Sequence, residues 1–181
     1  MLNKKICMLG ALAVGKTALV QQYVRSIFSD SYLSSVGVKV SKKAVTVKKK
    51  DPLKKDVDEQ EVNLLLWDLE GQDNYSAVNI SYIKGAGGLF FVVDGTRGET
   101  LSVALMLRNT ALDILGHDTP HLILVNKNDL KDTWEITDKV LASLSHSGLK
   151  IMLTSAREGF NVDLAFNTLA EMMVTKQNEQ Q

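Results

Sequence analysis

The sequence predicts an α/β fold with a largely parallel sheet, and three observations lead there. Apolar runs of strand length alternate with longer segments of helical periodicity, as a parallel sheet with crossover helices requires. The first apolar run opens into a glycine-rich turn and then a helical stripe. Two later runs end on polar residues, and open α/β sheets place their ligands at the carboxyl ends of strands.

The elements follow in order. Strands are expected near 3–9, 37–48, 61–67, 88–94, 121–126 and 149–153, and helices near 16–27, 100–116, 134–146 and 160–174. Ile6-Cys7-Met8-Leu9 makes the first strand, and Leu19, Val20, Tyr23, Val24 and Ile27 give the first helix an apolar stripe. From Val36 to Val47 apolar and charged residues alternate, which suits an edge strand with one solvated face. Gly87-Gly88 enters a wholly apolar strand, Leu89 to Val93, that ends on Asp94. The last helix buries Val162, Ala165, Phe166, Leu169 and Met173. With 181 residues, 45% of them hydrophobic, the chain can bury one substantial core. One domain over 1–176 and a polar tail over 177–181 are expected.

The turn after the first strand reads Gly10-Ala11-Leu12-Ala13-Val14-Gly15-Lys16-Thr17, which fits Gly-x-x-x-x-Gly-Lys-Thr. Glycines let the backbone approach an anion, and the next helix offers the positive end of its dipole. The loop and first turn, through Ala13, Val14, Gly15, Lys16, Thr17 and Ala18, therefore form a candidate phosphate cradle. Lys16 would reach the β- and γ-phosphates and the Thr17 hydroxyl would ligate Mg²⁺.

The strand Leu122-Ile123-Leu124-Val125 runs into Asn126-Lys127-Asn128-Asp129. The Asp129 carboxylate can accept from guanine N1–H and the exocyclic amine together, a donor pair that adenine lacks. Asn126 can tie this loop to the phosphate loop, and the Lys127 stem can lie over the base. Between the two motifs lies Trp67-Asp68-Leu69-Glu70-Gly71-Gln72. Asp68 could hold magnesium through water, Gly71 places a bare N–H for a γ-phosphate, and the Gln72 amide can orient an attacking water without a shifted pKa.

With these motifs in this order, nearly the whole chain resembles the Ras-like small GTPases, which implies a P-loop GTPase fold: a six-stranded mixed sheet with one antiparallel edge strand and helices on both faces. It also implies a molecular switch that hydrolyses GTP to GDP, with GTP/GDP and Mg²⁺ as ligands. Thr154-Ser155-Ala156-Arg157 is similar to the family's Ser-Ala-Lys loop, with Arg157 for lysine and the Ala156 N–H placed to recognise guanine O6. Phe28 matches an aromatic ring against the guanine, Asp30 lies near the ribose, and Ser35 matches a threonine that binds Mg²⁺ and the γ-phosphate. The first switch segment would cover about Phe28 to Val38 and the second Asp68 to about Tyr82, with Trp67 either anchoring its strand or facing a partner.

Some residues depart from the family pattern. Leu12 stands where Ras has glycine, in the space through which a partner's arginine approaches, and Glu70 replaces a small residue beside the γ-phosphate. No arginine follows Arg25 in the first switch, and the loops of Arg97 and Arg157 belong elsewhere in the family fold, so slow intrinsic hydrolysis is expected. The alternative is a pseudo-GTPase that keeps guanine nucleotide as a structural ligand. The connection holding Lys48-Lys49-Lys50-Asp51-Pro52-Leu53-Lys54-Lys55, followed by Asp56, Asp58, Glu59 and Glu61, is long for the family: roughly ten residues beyond a usual hairpin turn of two to five. It reads either as a solvated loop with weakly pairing charges or as a docking site for an acidic partner or membrane patch.

Formal net charge is zero, so nothing global points to nucleic acid. The lone cysteine, Cys7, excludes an intrachain disulfide and fits a reducing compartment. No signal peptide or membrane-length apolar run is read, and His117, His121 and His146 lack metal spacing. The final residues hold no cysteine for prenylation, which fits either a longer chain whose tail is not included or a member like the prokaryotic Ras-like GTPases; the expectation is a cytoplasmic monomer without a direct lipid anchor. Its expected partners are an effector, an exchange factor and an activating protein.

Overall fold

A computed structural model describes residues 2–25, 33–35, 38–49, 58–69 and 80–179. Its strands are β1 (Leu2–Gly10), β2 (Leu33–Ser35), β3 (Val38–Lys49), β4 (Asp58–Leu69), β5 (Gly88–Asp94), β6 (His121–Asn126) and β7 (Ile151–Leu153). The helices are α1 (Lys16–Arg25), α2 (Ile80–Ile83), α3 (Glu99–Leu115), α4 (Asp138–His146) and α5 (Val162–Glu179), with a 3₁₀ segment at Asn128–Thr133.

The strands lie in one sheet in the order β2-β3-β4-β1-β5-β6-β7. All pairs from β4 through β7 are parallel, and β3 runs antiparallel to both neighbours. The mixed sheet and its one reversed strand are as expected. The three-residue β2 lies outside β3, so the reversed strand is not the edge and the strands number seven rather than six.

Period-two alternation divides the central strands between two cores. Ile6 and Met8 of β1 and Phe90 and Val92 of β5 face a core built with α1 and α5. Cys7, Leu9, Leu89, Phe91 and Val93 face the other, with Ala104, Ala111 and Leu112 of α3 and Leu141 of α4. Every residue of β5 is buried, as a parallel strand covered on both faces must be. Tyr23 stacks on Phe166 at 4.1 Å between centroids, and Phe90 meets the Phe166 edge at 4.8 Å. Burying each such ring contributes about 1.5–3 kcal/mol. This packing fixes α1, and with it the turn that precedes it.

Helix ends differ from expectation where local chemistry intervenes. α4 begins at Asp138 rather than near 134 because the Thr137 hydroxyl accepts the Val140 N–H at 3.3 Å. α5 starts after Asn161, held at φ 55°, and continues to Glu179, through part of the segment expected as a tail. The β3–β4 ladder extends beyond both expected strand ends and sets Lys48 opposite Glu59 and Lys49 opposite Asp58. Of the basic block, only these two among the described residues are paired in register with the acidic one, and the connection itself, 50–57, lies outside the described residues. Among the described residues, no helix is long and apolar enough to cross a membrane.

Candidate functional site

The carboxyl ends of β1, β5 and β6, neighbours in the sheet, bring the motifs to one edge. The turn from β1 to α1 reverses tightly, with Gly10, Ala13 and Gly15 at φ 151°, 59° and 102°. A Cβ on Gly15 would collide with the Asn126 amide, so glycine is required there by space as well as by backbone. The first turn of α1 carries no acidic side chain, and Thr17 and Ala18 are exposed at its positive end.

Lys16 is buried and folds back over its own loop, donating to the Gly10 carbonyl at 2.9 Å and the Ala11 carbonyl at 2.8 Å. Burial pushes its pKa down to about 8, with the charge of Asp68 acting in the other direction. Asp68 is buried near the end of β4, in register with Met8. Thr17 and Asp68 supply oxygen donors, which fit a hard cation such as Mg²⁺.

Asn126 fastens three loops. Its Nδ2 donates to the Val14 carbonyl at 3.0 Å, while its Oδ1 accepts from the Ala156 N–H at 3.1 Å and the Thr154 hydroxyl at 3.3 Å. The Ala156 N–H is therefore turned to Asn126 here. Asp129 Oδ1 accepts from the Ser155 hydroxyl at 2.6 Å, and the Ser155 oxygen in turn accepts from the Glu158 N–H. Arg157 is exposed, with its Nη1 3.9 Å from Asp129 Oδ2.

Lys127 adopts a left-handed φ of 68°, and its carbonyl accepts from the Trp134 indole N–H at 2.9 Å. The indole lies so close to Gly95 that any Cβ there would collide with it. The Lys127 ammonium donates to Asp94 Oδ2 at 2.6 Å. Asp94 also accepts from the Thr96 N–H and hydroxyl and from Arg97 Nε. Burial pushes the Asp94 carboxyl up, and the bonds from Lys127, Thr96 and Arg97 outweigh it and hold the pKa below its ordinary value.

The sequence reading gave Asp94 no role and placed the Arg97 loop elsewhere. In the fold, Arg97 Nη2 donates to the Leu12 carbonyl at 2.7 Å, so that loop lies against the phosphate loop. The only sequence signal was a charged residue at a strand end followed three residues later by an arginine. Leu12 itself is 50% exposed at the turn. Phe28, Asp30, Glu70, Gly71 and Gln72 lie outside the described residues, and Ser35 is described only by its backbone pairing with Val38 in β2. Trp67 is half-buried against the second core with the Lys5 ammonium 3.8 Å over its ring.

A family model described as the Ras family matches residues 5–175. The chain is 28% identical over 178 residues to the human Ras-related protein Rab-8B, covering 96% of this chain and 80% of that protein. The Ras-related protein Rab-8 of Diplobatis ommata is 27% identical over 179 residues, with 97% and 79% covered.

Proposed function

Because the chain belongs to the Ras family of small GTPases, we propose that it is a guanine-nucleotide switch that hydrolyses GTP slowly and changes its two switch segments to control partner binding. The observation that supports this reading is that Asn126 ties the Gly10 to Thr17 turn to the loops at 126–129 and 154–157, as a continuous nucleotide cradle would require.

In this reading Asp129, oriented by Ser155, accepts from guanine N1–H and its amine, while the Lys127 stem covers the base. The Ala156 N–H, bonded to Asn126 in the free protein, would turn to guanine O6, with Arg157, Phe28 and Asp30 at the base and ribose. Lys16 leaves the Gly10 and Ala11 carbonyls for the phosphate oxygens, and the loop N–H groups from Ala13 to Ala18 surround them. Thr17, Ser35 and Asp68 would hold Mg²⁺, which neutralises phosphate charge when bound. Gly71 contacts the γ-phosphate and Gln72 orients the attacking water.

Leu12 and Glu70 together keep intrinsic hydrolysis slow, and Leu12 also obstructs stimulation. It is half exposed where an activating protein's arginine would enter, and an arginine finger contributes roughly three to five powers of ten. The same observation favours a second reading, a scaffold that retains nucleotide without turnover. Cycling would otherwise fall to an exchange factor and an activating protein, with a cytoplasmic monomer as the working form.

Single-turnover hydrolysis of GTP by the wild type and Gln72→Leu, with ATP as control, tests the proposal. Slow GTP-specific turnover lost in the variant supports the switch; tight guanine nucleotide binding with no turnover in either protein supports the scaffold.

A further inference from the structure

Arg97 and Asp94 join the loops that follow three adjacent strands. Arg97 Nη2 reaches the Leu12 carbonyl at 2.7 Å, and its Nε reaches Asp94 Oδ2 at 3.0 Å. That same oxygen accepts from Lys127 at 2.6 Å. The Asp94 side chain is 1% exposed, so it is a fixed anchor, while Arg97 is 38% exposed at the rim. The rigid guanidinium fork suits bonds in two directions at once.

The phosphate loop needs such support. Ala13, next to the gripped carbonyl, sits at φ 59°, a conformation that persists in a non-glycine residue only when its surroundings hold it. Lys16 donates to the Gly10 and Ala11 carbonyls and Asn126 to that of Val14, and Arg97 adds the side-chain bond to the Leu12 carbonyl between them. Its guanidinium is committed to a backbone carbonyl and a carboxylate, so this is not the geometry of an arginine finger.

We propose that Arg97 is a positioning residue that locks the phosphate loop to the base-recognition loop through Asp94 and Lys127 and thereby slows nucleotide release. The inference rests on the guanine-nucleotide reading above. Because Leu12 is exposed to solvent and the buried Asp94 carboxylate keeps its bonds from Lys127 and Thr96, loss of the contact should act on release far more than on folding.

The test loads wild type, Arg97→Met and Arg97→Lys with fluorescent mant-GDP and Mg²⁺, chases with excess GDP, and records melting of each nucleotide-free protein. Arg97→Met is expected to release about tenfold faster, equivalent to about 1.4 kcal/mol. Arg97→Lys keeps a charge that can reach one partner but not both, so its rate should fall between. Association rate and nucleotide-free melting temperature should stay at wild-type values, which a merely structural residue would not allow. Release within about twofold of wild type, or faster release with a matching fall in melting temperature, overturns the inference while leaving the nucleotide reading intact. A wild type that does not retain mant-GDP overturns both.

Discussion

The Asn126 side-chain amide donates to the Val14 carbonyl across 112 residues of sequence, at 3.0 Å, and accepts from the Ala156 N–H through its other end. Asn126 is 1% exposed, so both bonds are made away from solvent. Asn126→Ala leaves a carbonyl and an N–H without that partner, each at a cost of about 1–3 kcal/mol. GDP affinity should fall at least about tenfold and the melting temperature should drop, as read by calorimetry and thermal unfolding. Unchanged affinity would separate the base loop from the phosphate loop.

Gly95 is packed under the Trp134 indole, whose N–H holds the Lys127 carbonyl. Gly95→Ala must displace the ring and with it the left-handed Lys127 backbone. Overpacking of this kind costs about 1–3 kcal/mol. Urea unfolding should show that loss, with a parallel weakening of GDP binding because the displaced residue belongs to the base loop.

Lys16 should make nucleotide binding depend on pH. In the free protein burial lowers its pKa from 10.5 to about 8, and phosphate oxygens raise it again by favouring the ammonium form. At a pH above about 8 the free protein has lost protons that the complex recovers. Binding of GDP near pH 8.5 should therefore take up protons, and affinity should decline as pH rises through 8. Calorimetry in buffers of different ionisation enthalpy measures the uptake directly; a proton release or none would contradict the assignment.

His121, far from the site, should govern acid stability. Its pKa is lowered from 6.5 first by burial and then by the charges of Arg108 and Lys150, against a bond to the Thr119 carbonyl that raises it. Arg108 Nε donates to His121 Nε2 at 2.9 Å, a bond that needs the neutral ring. The unfolded chain therefore binds the proton first as pH falls below 6.5. Stability is present above that value and is lost below it until the lowered folded pKa is reached. His121→Gln should flatten the profile of melting temperature below pH 6.5.

Local patterns made most of the sheet legible. β5 and β6 are unbroken apolar runs with a residue of known chemistry at each end, and their bounds in the fold match the sequence reading. The Gly10 to Thr17 turn and the Asn126 to Asp129 loop were legible as strand-end loops because glycine or polar residues interrupt the apolar runs there. β2 was not, because three residues paired only through Leu33 to Ser35 carry no periodicity. The start of α4 was misplaced because apolar Trp134 and Ile136 extend the helical pattern while Trp134 packs on Gly95. The Arg97 contact depends on two loops meeting in space, 85 residues apart, and no spacing encodes that.

The central claim is that Asp129 selects guanine, and its most direct test is competition against mant-GDP by GDP, xanthosine diphosphate and ADP, for wild type and Asp129→Asn. Wild type should prefer GDP by several powers of ten, because a site built to bond a donor pair leaves its carboxylate unsatisfied on other bases. Asp129→Asn should reverse the order of GDP and xanthosine diphosphate, since the amide donates where xanthine offers a carbonyl. Equal competition by ADP in the wild type, or an unchanged order in the variant, would contradict the account.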